Sequence, residues 1–253
     1  MRANNVRKIW RKGGAVVNGW CGIPSGFAAE VMANQGFDSV TIDLQHGLVH
    51  YDSSIPMLQG ISTTNATPMA RVPWLEEGII MKMLDAGCYG IICPMINNAE
   101  DAVRFAQSCR YPPKGFRSNG PARASIYGGA DYQPKSNSTV LAIGMIETED
   151  GLKNLESILK AKAMDAVYIG PSDLGLALGR KATLDQTDPV VVKQINYIKD
   201  TCKKHGVKVG IHCAAAAYAK KMVKEGFDLV TLSVDYRIMG VAAAEMVDFM
   251  RKK

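Results

Sequence analysis

The strongest constraint on this chain is a rhythm. Eight short apolar runs fall at residues 15–21, 37–43, 66–72, 89–95, 140–147, 166–170, 207–212 and 228–233. Between most of them lie stretches whose apolar residues sit three and four apart. Runs of that length suit strands buried on both faces, and that spacing suits helices packed against them. The punctuation agrees. "SGFAAEVMANQG" offers Ser25 as an N-cap and Gly36 as a stop, and "EEGIIMKMLDAG" opens with acids and closes at Gly87. "TEDGLKNLESILKAK" runs from acids to lysines, the favourable sense for the helix dipole. "GFDSVTID" at 36–43 and "GFDLVTLS" at 226–233 echo one another, each with a glycine stop just before a strand.

Strands that alternate with helices pair in parallel through right-handed crossovers. Eight such units in 253 residues predict an α/β fold, a (β/α)8 TIM barrel, as one domain over residues 1–253. An open doubly wound sheet is the competing architecture. It is disfavoured because no G-x-G-x-x-G follows an early strand. One segment interrupts the rhythm. Residues 111–139, rich in Pro, Gly, Ser and Asn, are too long for an ordinary connector and read as a functional or mobile loop.

Composition excludes several classes. The hydrophobic fraction is 47% and charged residues are 21%, which supports a packed core rather than disorder. The net charge of +6 comes from scattered basic residues with no aromatic-interleaved stripe, so no nucleic-acid partner is expected. A mild positive excess is compatible with small anionic substrates. None of the six cysteines forms a C-x-x-C pair, which argues against a disulfide framework and for a reducing compartment. The basic N-terminus lacks an apolar h-region and no segment has the length of a membrane span, so the expectation is a cytoplasmic protein without a membrane partner.

The apolar runs repeatedly end in polar side chains. The second ends at Asp43 and His46, the third carries Arg71, the fifth ends at Glu147, the sixth at Gly170, Pro171, Ser172 and Asp173, and the seventh at His212. In parallel α/β folds the carboxyl ends of the strands form one ligand-binding rim. Each residue also has an ordinary reading. Asp43 and Asp173 suit caps, Glu147 suits a first helical turn, and His212 suits a core position. Five of them on one rim carry the argument. Glu147 and Asp173 suit a hard divalent cation that keeps waters and substrate oxygens. Arg71 suits a carboxylate or a developing oxyanion, and a histidine oriented by an aspartate suits a general base. The backbone N–H groups of Gly170 and Ser172 suit a carboxylate, while Pro171 has none to donate. Together the parts fit a metal-bound 2-keto acid undergoing enolate chemistry.

The blocks "DLQHG" at 43–47, "MARVPW" at 69–74, "DAGCYGIICPMINNAEDA" at 85–102, "CRYPPKGFRSNGPARAS" at 109–125, "MIETEDGLKN" at 145–154 and "YIGPSDLGLALG" at 168–179 are similar in order and spacing to a known family. It is that of the metal-dependent pyruvate aldolases acting on 4-hydroxy-2-oxoheptanedioate and 2-dehydro-3-deoxyglucarate, in the phosphoenolpyruvate/pyruvate barrel superfamily with the citrate lyase β-type enzymes. The resemblance covers about residues 13–250. It implies reversible cleavage of a 4-hydroxy-2-oxo acid to pyruvate and an aldehyde. It implies Glu147 and Asp173 as ligands of a divalent metal, with Mg2+ or Mn2+ expected and Co2+ or Zn2+ as alternatives. It makes Arg71 the group that binds the keto oxygen, His46 paired with Asp43 the base, and Gly170–Ser172 the cradle of the pyruvate carboxylate. It also implies a homo-oligomer, a hexamer or a trimer, with the last apolar helix, 241–250, exchanged between subunits. Two departures stand out: Gln45 and Met145 occupy positions where many members carry Glu and Gln.

Rival readings are a lyase acting on a malyl- or citramalyl-coenzyme A thioester, a Schiff-base mechanism, and a non-catalytic keto-acid-binding barrel. Lys208 is the lysine inside a predicted strand, and it falls early on that strand, toward the opposite rim. Residues 111–139, with Arg117, Arg123 and Tyr127, and residues 180–189 are the expected determinants of aldehyde choice.

Overall fold

In a computed structural model, described for residues 1–252, the eight apolar runs are eight parallel strands closed into a barrel in chain order. They are β1 (Val16–Cys21), β2 (Ser39–Asp43), β3 (Thr67–Arg71), β4 (Gly90–Cys93), β5 (Leu141–Ile146), β6 (Ala166–Ile169), β7 (Lys208–Cys213) and β8 (Leu229–Leu232). Each predicted run was a residue or more too long at one or both ends, and that of β7 also stopped one residue short of the strand's end at Cys213. Nearly every strand residue is buried, which explains why the runs read as continuous rather than alternating.

Two layers fill the molecule. Outside the barrel, residues such as Val40, Ile42, Ile91, Val167 and Ile211 pack under the surrounding helices. Inside, Met69, Ile92, Leu141, Ile143, Tyr168 and Leu229 form a packed core rather than a pore. A polar layer crosses that interior. Asn18 accepts hydrogen bonds from Ser39 and Thr41 and donates to Thr231. Each buried polar atom there has a partner, so the layer costs little. A helix not recognised in the sequence, Asn5–Arg11, closes the bottom of the barrel. It packs Val6 and Trp10 into the inner core, and Trp10 Nε1 donates to the carbonyl of Asp228.

Residues 111–139 are not a mouth loop. They carry two short helices, Ala122–Gly128 and Tyr132–Thr139, and they follow the helix Ala99–Ser108, so they lie at the amino-terminal end of the barrel. Arg117 is buried there and binds Asp85, Tyr132 and Ser136. Arg123 donates to the carbonyls of Ala86 and Leu58, and Tyr127 packs edge-on against Tyr89. The expectation that Arg117, Arg123 and Tyr127 shape aldehyde choice is therefore corrected. A segment that precedes a strand of a (β/α)8 barrel sits on the face opposite the carboxyl-terminal rim.

Candidate active site

Strand register assembles the site. Asp43 and Arg71 are paired neighbours at the ends of β2 and β3. Ile146 pairs with Ile169, so the next residues, Glu147 and Gly170, also lie side by side. His212 and Thr231 are partners on β7 and β8. A cavity of about 220 Å³ opens at this rim, lined among others by Asp43, His46, Arg71, Met145, Asp173 and His212. Gly170 and Ser172 also line it, whereas Pro171 is buried behind them. Ser172 lies in the first turn of the helix Pro171–Ala177, where backbone N–H groups lack intrahelical acceptors.

Arg71 holds Asp43 through two parallel bonds, Nε–H to Oδ1 at 2.9 Å and Nη2–H to Oδ2 at 2.5 Å. Trp20 Nε1 also donates to Asp43, and the Trp20 ring lies under the guanidinium at 4.9 Å. Among the described residues Nη1 of Arg71 has no partner, so it is the donor left for a ligand. Burial pushes the Asp43 carboxyl up, but the bonds and charge of Arg71, with Trp20 and the His46 N–H, hold it below the usual range. The expected His46–Asp43 pair takes a different form. Asp43 Oδ1 accepts the backbone N–H groups of Gln45 and His46, at 3.1 and 3.2 Å, and the imidazole of His46 has no hydrogen-bond partner among the described residues. The carboxylate is already occupied by the fork of Arg71, so it positions the His46 loop rather than the ring. Gly47 completes that loop; a Cβ there would meet the carbonyl oxygen of Asp43 at 2.3 Å.

Glu147 is buried, at 3% exposure, and among the described residues its one hydrogen bond comes from the backbone N–H of Met95 at 3.0 Å. Burial, and then the charge of Asp173, raise its carboxyl from 4.5 to about 7. Asp173 itself is exposed on the cavity wall. Gly170 is what lets the glutamate reach the site, because a Cβ there would lie 2.3 Å from Oε2. Two carboxylates thus repel one another with no basic side chain paired to either among the described residues. Oxygen donors of that kind suit a hard divalent cation. No third His, Cys, Asp or Glu joins them among the described residues. A cation held by Glu147 and Asp173 would keep room for water and substrate oxygens, the arrangement magnesium-type ions favour.

Sequence reasoning missed Trp20 and Tyr168 and underrated His212. The phenol of Tyr168 contacts His212 Nδ1 at 3.0 Å and Thr231 Oγ1 at 2.7 Å, and Trp20 packs edge-on against the imidazole. Burial, then the charge of Arg71, lowers His212 to about 3. It is a neutral hydrogen-bonding wall rather than a proton carrier. Trp20 sits at the carboxyl end of β1, so its place on the rim was available from the strand assignment alone. From residues 180–189, Leu184 reaches the cavity. That segment is fastened by Gln186, which donates to the Pro171 carbonyl, and by Asp185, which accepts the N–H groups of Ala214 and Ala215. Lys208 binds Asp228 on the opposite rim, away from this chemistry.

The parallel barrel thus sets paired rim carboxylates beside a carboxylate-braced arginine, an arrangement that suits a cation and an oxyanion. Comparison with known proteins identifies the family. The family model for HpcH/HpaI aldolase/citrate lyase matches residues 22–240, and the chain belongs to that family. It is 37% identical over 244 residues to a hydroxypyruvate/pyruvate aldolase of Rhizorhabdus wittichii, covering 96% of this chain and 97% of that one. It is 32% identical to a 5-keto-4-deoxy-D-glucarate aldolase of Klebsiella pneumoniae, covering 92% and 91%. A crystal structure of a family member from Burkholderia cenocepacia superposes with a TM-score of 0.92 at 27% identity, covering 99% of this chain and all of the other.

Proposed function

We propose that this protein is a carbon–carbon lyase that reversibly cleaves a 4-hydroxy-2-oxo acid to pyruvate and an aldehyde, and that it requires a divalent metal. The family membership and the aldolase relatives support the reaction class. The observation that carries the metal is the unpaired couple Glu147 and Asp173 beside the free face of Arg71.

Glu147 and Asp173 would hold the cation, Mg2+ or Mn2+ first on donor chemistry, with Co2+ or Zn2+ as alternatives. When bound, it supplies Lewis-acid polarisation of the keto group. The backbone at Gly170 and Ser172 receives the keto-acid carboxylate, with Pro171 fixing the start of the helix. Nη1 of Arg71 donates to the keto oxygen, where negative charge grows as the C3–C4 bond breaks. Asp43 and Trp20 hold that arginine rigid, so little reorganisation is needed when the charge appears. His46, exposed at the cavity edge, accepts the proton of the C4 hydroxyl. The electrons of the breaking bond remain on the pyruvate fragment, which is then protonated at C3.

The free apolar side of the C-terminal helix supports an oligomer. Asp235–Arg251 leaves the barrel with Met239, Val241, Met246, Phe249 and Met250 all more than half exposed. Exchange of this helix in a trimer or hexamer would bury them. No helix among the described residues is long and apolar enough to cross a membrane; a cytoplasmic site of action fits the reduced cysteines.

Two assays test the reading. Wild-type protein with Mg2+ or Mn2+ should exchange the methyl protons of pyruvate in deuterated water and cleave 4-hydroxy-2-oxo acids, and chelation should stop both. Borohydride with pyruvate should trap no adduct. Trapping on a lysine with activity intact under chelation would replace this mechanism with a Schiff base.

A further inference from the structure

We propose that the lower face of the barrel carries a binding site for a condensed phosphate, the compact di- or triphosphate group of a soluble small molecule. The site lies on the face opposite the candidate active site and stands whichever reaction is performed there.

A cavity of about 400 Å³ opens between the helix Asn5–Arg11 and the helix Tyr132–Thr139. Five basic side chains line it, Arg2, Arg7, Lys8, Arg11 and Lys135, and among the described residues no carboxylate does. Two of the five are neutralised from behind, Arg7 by Asp165 at 2.6 Å and Lys135 by Asp131. Arg2 donates from Nη1 and Nη2 to the carbonyls of Ser62 and Thr64, which place its guanidinium but leave its charge uncompensated. Lys8 and Arg11 are exposed and have no acidic partner among the described residues. Five less two leaves three surplus positive charges around one concavity.

The frame that holds them is rigid. Val6 and Trp10 anchor the first helix in the inner core. The Asn4 amide donates to the carbonyls of Tyr89 and Thr139 at 3.1 and 2.9 Å, and Arg7 Nε donates to that of Thr139 at 3.0 Å, which ties the two helices together at the base of the cavity. The charge pattern opposes the helix's own stability. Arg7 and Arg11 stand four apart and Lys8 and Arg11 three apart, spacings at which like charges repel. No acid occupies the first turn, although the helix dipole favours one there. A helix that served only as a solvated lid would mix its signs; this one keeps a repulsion that an anion relieves. A condensed phosphate gathers several negative charges in a small volume and offers oxygens to guanidinium forks and to a lysine. A lone carboxylate would leave most of the surplus uncompensated. A concavity of this size encloses a small molecule, whereas a nucleic-acid duplex or a bilayer would reach only its rim.

The test is isothermal titration of the purified full chain with tripolyphosphate, at about 0.15 M salt so that weak surface attraction is screened. One molecule should bind per chain, more tightly than orthophosphate or citrate. In the double variant Lys8→Gln/Arg11→Gln the affinity should fall about tenfold or more, the scale of lost charge-assisted contacts. Arg71→Ala should bind as the wild type does, which separates this site from the cavity at the upper rim. Thermal melts show whether the double variant is folded, and Lys8→Gln alone repeats the measurement if it is not. A wild type that shows no saturable binding, an affinity unchanged in the folded variant, citrate bound as tightly as tripolyphosphate, or binding lost in Arg71→Ala overturns the proposal. Binding of anionic vesicles or a DNA duplex through Lys8 and Arg11, without binding of tripolyphosphate, overturns it as well.

Discussion

At the lower end of the barrel, Asp165 accepts bonds from Arg7 and Arg110, both at 2.6 Å, and from the backbone of Ala142. Asp228 is held in the same way by Lys203, Lys208 and the N–H of Val209. At the upper end, Glu147 is more deeply buried than Asp165, yet it has one backbone donor and an acidic neighbour. The lower rim spends its charges on stability, while the upper rim keeps a repulsive pair that a bound cation or a proton would relieve. Asp43 belongs to the upper rim but follows the lower rule. It is paired through two bonds with Arg71 and holds that arginine at the same rim as the repulsive pair.

The largest effect should come from the upper rim. Arg71→Ala should lower the cleavage rate by about 10²–10³, the usual loss for one oxyanion contact, and His46→Ala should leave similarly little activity. Circular dichroism should show both folded. If purified Arg71→Ala turned over like wild type, the division of labour between Arg71 and Asp43 would be wrong.

Next in size is the lower rim. Asp165→Ala leaves Arg7 and Arg110 without a carboxylate and should destabilise the fold by about 3 kcal/mol in denaturant melts. The folded fraction should retain a wild-type kcat. A loss of kcat without a loss of stability would blur the distinction between the rims.

Removing the repulsion should have the opposite sign. The folded state raises the Glu147 carboxyl from 4.5 to about 7, so it binds that proton more tightly than the unfolded chain does. The resulting stability is fully present below pH ~4.5 and is lost as pH rises through ~7. Metal-free Glu147→Gln should therefore be more stable than wild type at pH 8, by about 3 kcal/mol, with the difference vanishing below pH ~4.5. A less stable variant at pH 8 would mean that the pair is not under strain.

The smallest effect is expected at Lys208. Lys208→Met should change kcat by less than about twofold, because the side chain serves Asp228 at the far rim, where changes bear on stability rather than catalysis. A large loss would revive the Schiff-base reading.

Much of this was legible in the sequence for a physical reason. Strands buried on both faces have to be apolar, so the eight runs and their order followed from hydrophobicity alone. The polar residues that interrupt the run ends then marked the rim, which is how Asp43, Arg71 and Glu147 were found. Three things were less accessible. The ring of His46 was expected on Asp43, but one-dimensional spacing does not show that Arg71 occupies that carboxylate first. Trp20 and Tyr168 were not singled out from their apolar runs, because aromatic rings serve equally well in a core and on a cavity wall. Residues 111–139 were expected to shape aldehyde choice because composition identifies a loop without saying which end of the barrel it occupies; their place after a helix and before β5 was the unused clue.

The central claim is that Glu147 and Asp173 form one site for a divalent cation. Thermal melts at pH 7.5 with increasing Mg2+ or Mn2+ test it directly, in wild type, Glu147→Gln and Asp173→Asn. The wild-type midpoint should climb with metal concentration while both variants stay flat. Variants that respond to metal as the wild type does, or a wild type that does not respond at all, would contradict it.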